Sequence, residues 1–170
     1  MKKYSILIIF FTLIAVNACK KDSLDTYGSG DAGKSSTYPV SGEWWVKYSL
    51  GTSYESDYYK LLTYNLATNK GDSIWVDDNG DFWNESIKFK SVVDVKNKTF
   101  SVKNAVNIND GSANPTKVTL LDGKVLLGVA TTTSGNKSDS IYVKFIYSDD
   151  PADTFVCAGY RRTGFQADDH

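Results

Sequence analysis

From residue 42 onward the chain alternates apolar and polar side chains with period two, and this pattern restricts its folding more than any other feature. Trp44, Val46, Tyr48 and Leu50 fall on one side of an extended segment, with Glu43, Trp45, Lys47 and Ser49 on the other. A period of two is the spacing of a strand with one buried face. Similar runs follow at Ile74–Val76, Ile87–Lys90, Phe100–Val102, Val118–Leu120, Val125–Leu127, Ile141–Tyr147 and Thr154–Arg162, while Tyr58–Leu66 is mixed, with Leu61 opposed by Leu62 and Tyr64. Between them stand Asn69-Lys70-Gly71, Asn79-Gly80, Asn97-Lys98, Asp110-Gly111, Asp122-Gly123 and Gly135-Asn136. These are residues that tolerate the positive φ of tight hairpin turns. Nothing after residue 36 sustains an apolar repeat at helical spacing. The expected fold is all-β, an antiparallel meander of roughly eight to ten strands. Closing it into an up-and-down β-barrel removes both exposed edges, and a two-sheet β-sandwich is the alternative.

The start of the chain is different in kind. Lys2 and Lys3 precede an uncharged apolar run, Ile6–Val16. The run is shorter than the about 20 residues a membrane-crossing helix needs, and a basic start before a short apolar stretch reads as a secretory signal. Residues 1–18 are therefore expected to be a signal peptide. Val16-Asn17-Ala18-Cys19 resembles the lipobox of bacterial lipoproteins, which implies lipidation at Cys19 and membrane attachment through it. Residues 19–38, rich in Gly and Ser from Gly28 to Ser36, read as a flexible tether spanning about 20–25 Å. Residues 39–170 form the expected barrel domain. The implied address is the cell envelope, as an outer-membrane lipoprotein on either its periplasmic or its exposed side.

Chemistry is announced weakly. With 19 basic against 20 acidic residues there is no basic footprint for nucleic acid. The one histidine, His170, ends the chain, and no positioned imidazole for nucleophilic catalysis is expected there. No His or Cys set for a metal site is present, and no cofactor is expected. Asp77, Asn79 and Asp81 begin like a calcium loop, but Phe82 replaces the needed Gly and Lys88 the needed Glu. An acidic hairpin turn is the better reading. Cys157, flanked by Phe155 and Val156, reads as a small core residue rather than a reactive thiol. The residues thus give no positive ground for an enzyme; a carboxylate pair from the scattered acids is the remaining hydrolytic option.

The aromatic residues are more suggestive. Trp44, Trp45, Tyr48, Tyr58, Tyr59, Tyr64, Trp75 and Trp83 crowd the first half of the domain. Adjacent rings cannot both face inward, so some line an opening or lie outside. They serve an apolar-ligand cavity, a sugar-stacking surface, or core packing. Near the end, Arg161 and Arg162 point to opposite faces of one strand. One reading is a fork for a ligand's acidic group; the favoured one is a guanidinium closing the barrel end over Trp44 or Trp45.

Cys19, the Ser41-Gly42-Glu43-Trp44-Trp45-Val46 opening and the closing Tyr160-Arg161-Arg162-Thr163-Gly164-Phe165 string resemble a family of bacterial lipoproteins described as lipid-binding putative hydrolases. The resemblance covers residues 39–169 and implies a calycin-like (lipocalin-like) barrel. It carries no catalytic residue onto this chain. The resulting expectation is a lipid-anchored protein holding a small apolar or amphipathic ligand, such as a lipid, inside a hollow barrel. Trp44, Tyr48, Tyr64 and Trp75 would form its walls, and Arg161 or Arg162 a polar anchor. The alternatives are a glycan or cell-surface assembly accessory using Trp45, Tyr59 and Trp83, and a carboxylate-dependent hydrolase.

Overall fold

A computed structural model describes residues 34–51, 54–80 and 86–170. The nine runs become eight strands: β1 (Gly42–Leu50), β2 (Tyr54–Asn65), β3 (Ser73–Asp77), β4 (Lys88–Asp94), β5 (Thr99–Val106), β6 (Lys117–Thr131), β7 (Lys137–Tyr147) and β8 (Phe155–Arg161). Each pairs antiparallel with the next, and β8 returns to β1, closing an eight-stranded barrel in up-and-down order. The sandwich alternative is thereby set aside. Two 3₁₀ turns, Tyr38–Val40 and Gln166–Asp168, are the helical elements among the described residues.

The turn chemistry acts at most of the places the sequence put it, but Asp110-Gly111 lies in the ten-residue β5–β6 connection without a positive φ. Asn69, Asn79 and Lys98 take φ of 46°, 59° and 58° in hairpin connections. Asp122-Gly123, by contrast, is not a turn. The runs on either side of it join into the single fifteen-residue β6, with a register shift between Leu120 and Asp122 against β7. Gly123 sits in mid-strand because the Phe100 ring of β5 lies where its side chain would project. A glycine that reads as a turn is here a slot for a neighbouring ring.

Strand direction gives the barrel two unlike ends. The β2–β3, β4–β5 and β6–β7 connections gather at one end, with the Tyr38–Val40 turn and the residues after β8. The β1–β2, β3–β4, β5–β6 and β7–β8 connections gather at the other. The first is closed. Val40 is fully buried there, and its carbonyl accepts from Thr63 Oγ1, which in turn accepts from Trp44 Nε1 at 2.8 Å. The Arg161 guanidinium lies 4.3 Å from the centre of the Trp44 ring. It is held by Asp139 at 2.9 Å and donates to the carbonyls of Ser41 and Pro39. This is the favoured end-closing reading of that arginine.

Between the ends the interior is filled. Val46, Ile74, Val76, Phe89, Phe100, Leu120, Ile141 and Val143 belong to one buried cluster. The expected hollow barrel is therefore not found. Inward positions carry branched and aromatic side chains, and in an eight-stranded barrel these are large enough to meet across the axis.

Candidate functional site

The opposite end, called the open end because no arginine closes it among the described residues, is lined by a group of rings. Tyr48 of β1, Phe145 and Tyr147 of β7, and Phe155 at the start of β8 point inward. Phe145 stacks on Phe155 at 5.7 Å, Tyr147 meets Phe145 at 5.1 Å, and Tyr48 meets Phe145 edge-on at 6.5 Å. Leu61, Ile87 and Phe89 continue the apolar wall below them. The free space enclosed is about 20 Å³. That volume is enough for one water and too small for an acyl chain.

Three kinds of polar group enter this chamber. Asp78 is buried just past β3, and its Oδ1 accepts from the N–H groups of Gly80 at 2.9 Å and Ile87 at 2.8 Å. Burial pushes its carboxyl above the ordinary value, against the pull of those bonds. Burial likewise pushes the Tyr48 and Tyr147 phenols well up, with Asp78 adding to both. The Cys157 thiol is buried, and burial pushes it above the ordinary thiol value. It is a core residue and not a nucleophile. Among the described residues Asp78 is the only carboxylate lining the chamber, so no acid pair converges there.

The residues expected to hold a ligand are distributed differently from the sequence reading. Trp44 and Tyr48 do face inward. Trp44 belongs to the closed end, whereas Tyr48 lines the chamber. Tyr64 and Trp75 do not form interior walls. They pair across β2 and β3 in alternation with the buried Thr63 and Val76, which places them on the outer wall with Lys88 over both rings. Alternation within Tyr58–Leu66 was ambiguous because apolar residues occupy both faces, and only the register against β1 assigns them. Arg161 and Arg162 are both engaged at the closed end, remote from the chamber. Arg162 forms a two-bond fork to Asp169 at 2.7 Å each and reaches Glu43 at 3.0 Å.

The outward rings also differ from expectation. Trp45 is only 5% exposed, because the end of the chain folds back over it. Asp169 accepts from Trp45 Nε1 at 3.2 Å, and the His170 ring packs edge-on against the indole. His170 is thus well positioned, contrary to the expectation. It stacks on Tyr58 at 4.1 Å and shares a 2.7 Å hydrogen bond with the Tyr160 hydroxyl. Fully buried Asp168 ties the same segment to the β6–β7 turn by accepting from Ser134 N, and to the residues just after β8 by accepting from Thr163 Oγ1. Tyr59 turns inward against Tyr48. A glycan platform of Trp45, Tyr59 and Trp83 therefore loses its first two members, and Trp83 lies outside the described residues, as do Cys19, Asp81 and Phe82.

A second hollow, of about 340 Å³, lies open on the outer wall across β4–β6, edged by Val92 and Leu121 over Ser101 and Gly123. The chamber residues were partly legible: Tyr48, Phe145 and Tyr147 share the inward phase of their strands. Asp78 was not, since an acid beside Asn79-Gly80 reads as an exposed turn.

A search of curated proteins returns no match to this chain. A family model described as lipid-binding putative hydrolase matches residues 29–166, nearly the whole barrel and both strings that carried the resemblance. The chain belongs to that lipid-binding putative hydrolase family.

Proposed function

We propose that this protein is a lipid-anchored component of the cell envelope that takes up a lipid or other small amphipathic molecule at the open end of its barrel. Residues 1–18 direct export, Cys19 carries the lipid, and the outer membrane is the destination. The observation that carries the ligand reading is the chamber itself. It is an apolar, ring-lined mouth with two hydroxyls and one carboxyl at its polar tips, on a chain of a lipid-binding family. Such a site holds an apolar body by burial and orients it through a few polar groups. An acyl tail does not fit the space as it stands, so entry requires the Phe145–Tyr147–Phe155 rings to move aside, with the head group remaining near Tyr48, Tyr147 and Asp78.

The test is native mass spectrometry of delipidated protein mixed with a monoacylglycerol and, separately, a fatty acid. A one-to-one adduct with either is expected, and it weakens when Phe145→Asp puts a charge among the rings. Absence of any adduct, or adducts indifferent to that substitution, overturns the chamber as the binding site.

A further inference from the structure

Strand β6 outruns its neighbour. Its last partner on β5 is Thr99, opposite Lys124, and Val125 N–H then donates to the Lys98 carbonyl in the adjoining turn. From Leu126 to Thr131 it pairs only with β7, so its other edge is bare. In this stretch the register shifts between Leu126 and Ala130, and Gly128 adopts φ +66°. The consequence is local and specific. Leu126, Leu127 and Val129 are 47%, 53% and 57% exposed, although a regular strand would send alternate side chains inward.

The projection is held in place. Asp139 Oδ1 accepts from the Gly128 N–H at 2.9 Å while its Oδ2 accepts from Arg161 Nε. One carboxylate thus fastens the bulge to the arginine that closes the barrel. Phe165 and Tyr38 are exposed at the same end, 63% and 49%.

Charge divides along the barrel axis. Lys98 and Lys137 border the apolar projection, and Lys70 and Lys96 stand exposed in turns of the same end. None of these four lysines pairs with a carboxylate among the described residues. Of the acids at that end, Glu43 and Asp169 are committed to Arg162 and Asp139 to Arg161, Asp94 is bonded to Asn97 within its own turn, and Asp72 is exposed. The open end carries Asp57, Asp110, Asp149, Asp150 and Asp153, with Lys117 exposed and Lys47 and Lys88 already paired to Glu55 and Asp77. The chain also enters the barrel unit at Ser35, just before the Tyr38–Val40 turn at the closed end.

We propose that the closed end is a membrane-contact face. Leu126, Leu127 and Val129 dip into the head-group region of a bilayer bearing anionic lipid, and Lys98 and Lys137 meet its surface charge. Apolar side chains flanked by lysines have the composition of an interfacial anchor. The acidic mouth then faces away from the membrane, and Ser35, where the barrel unit begins, lies at the end that faces it. The proposal is independent of whether the chamber binds a ligand.

Residues 35–170 form one compact unit that contains all eight strands and the buried cluster of the described residues. The test is co-flotation of this barrel with vesicles of equal parts phosphatidylethanolamine and phosphatidylglycerol, against vesicles of phosphatidylcholine alone. Binding to the anionic vesicles is expected, with a loss of about tenfold or more for Leu127→Glu with Val129→Glu. Reversing Lys98 and Lys137 to Glu removes about fivefold per lysine lost and flattens the salt dependence. Near-UV circular dichroism checks that each variant keeps its packing. A barrel that ignores both vesicles, or variants that bind as the parent does, overturns the proposal. So does a dimer in light scattering that Leu127→Glu splits, which assigns the bare edge to a second copy of the chain.

Discussion

Arg161 shows how much one side chain does in this fold. It covers the Trp44 ring, pairs with Asp139 and satisfies two carbonyls of the chain entering the barrel. Arg161→Ala is expected to lower stability by about 2 kcal/mol in denaturant titration, allowing for partial exposure of the ion pair. Arg161→Lys should recover less than half of that, since an ammonium lacks the planar fork. Asp169 makes the pH prediction. The Arg162 guanidinium holds its carboxyl down at about 2, below its usual 3.8. A depressed acid contributes stability above its unfolded value and loses it as pH falls through the folded one. The C-terminal clasp should therefore loosen between about pH 4 and pH 2, read as a change in Trp45 fluorescence that Asp169→Asn produces already at neutral pH. Cys157 should resist thiol reagents in folded residues 35–170 and react at once in denaturant.

At the scale of the strand, glycines separate positions of contact from positions of conformation. Gly159 of β8 lies against β1 at the seam that closes the barrel, where a Cβ would fall on the Trp45 carbonyl oxygen. Gly159→Ala is expected to cost about 3 kcal/mol, because backbone must shift to admit it. Gly128 has open space around it and a left-handed φ, so Gly128→Ala should cost only about 1–2 kcal/mol. Thermal melts of the pair check the order; equal losses would mean that the seam is looser than the register implies. The element-level reading of the sequence failed where two signals conflicted. Asp122-Gly123 has the composition of a turn, yet Phe100 requires a glycine beneath its ring. Tyr64 and Trp75 have the size of wall residues, yet their register sends them outside.

For the molecule as a whole, the filled interior sets the energetic terms of ligand uptake. The inward aromatics that line the open end also stabilise it, so room for a tail comes at the expense of packing. Phe145→Ala should destabilise the barrel by about 3–4 kcal/mol while leaving a cavity. If the chamber is the site, the same variant should bind a single-chain amphiphile more tightly than the parent in a fluorescent-probe titration. A variant that is destabilised without any gain in binding would indicate that the rings serve stability alone.

Much of this architecture was local and therefore readable. Period-two alternation assigns strands, residues tolerant of positive φ assign hairpins, and consecutive hairpins lead to a meander that closes on itself. Trp44 facing inward and Arg161 closing over it were within reach for the same reason, since the alternation within β1 sets its own phase. What depended on partners was not readable. The side taken by Tyr64 and Trp75 was set by register, the ordering of His170 by Tyr58, Tyr160 and Trp45, and the burial of Asp78 by N–H groups across a turn. Above all, alternation says which side chains point to the axis but not how completely they fill it, because that is a sum of volumes contributed by all eight strands at once.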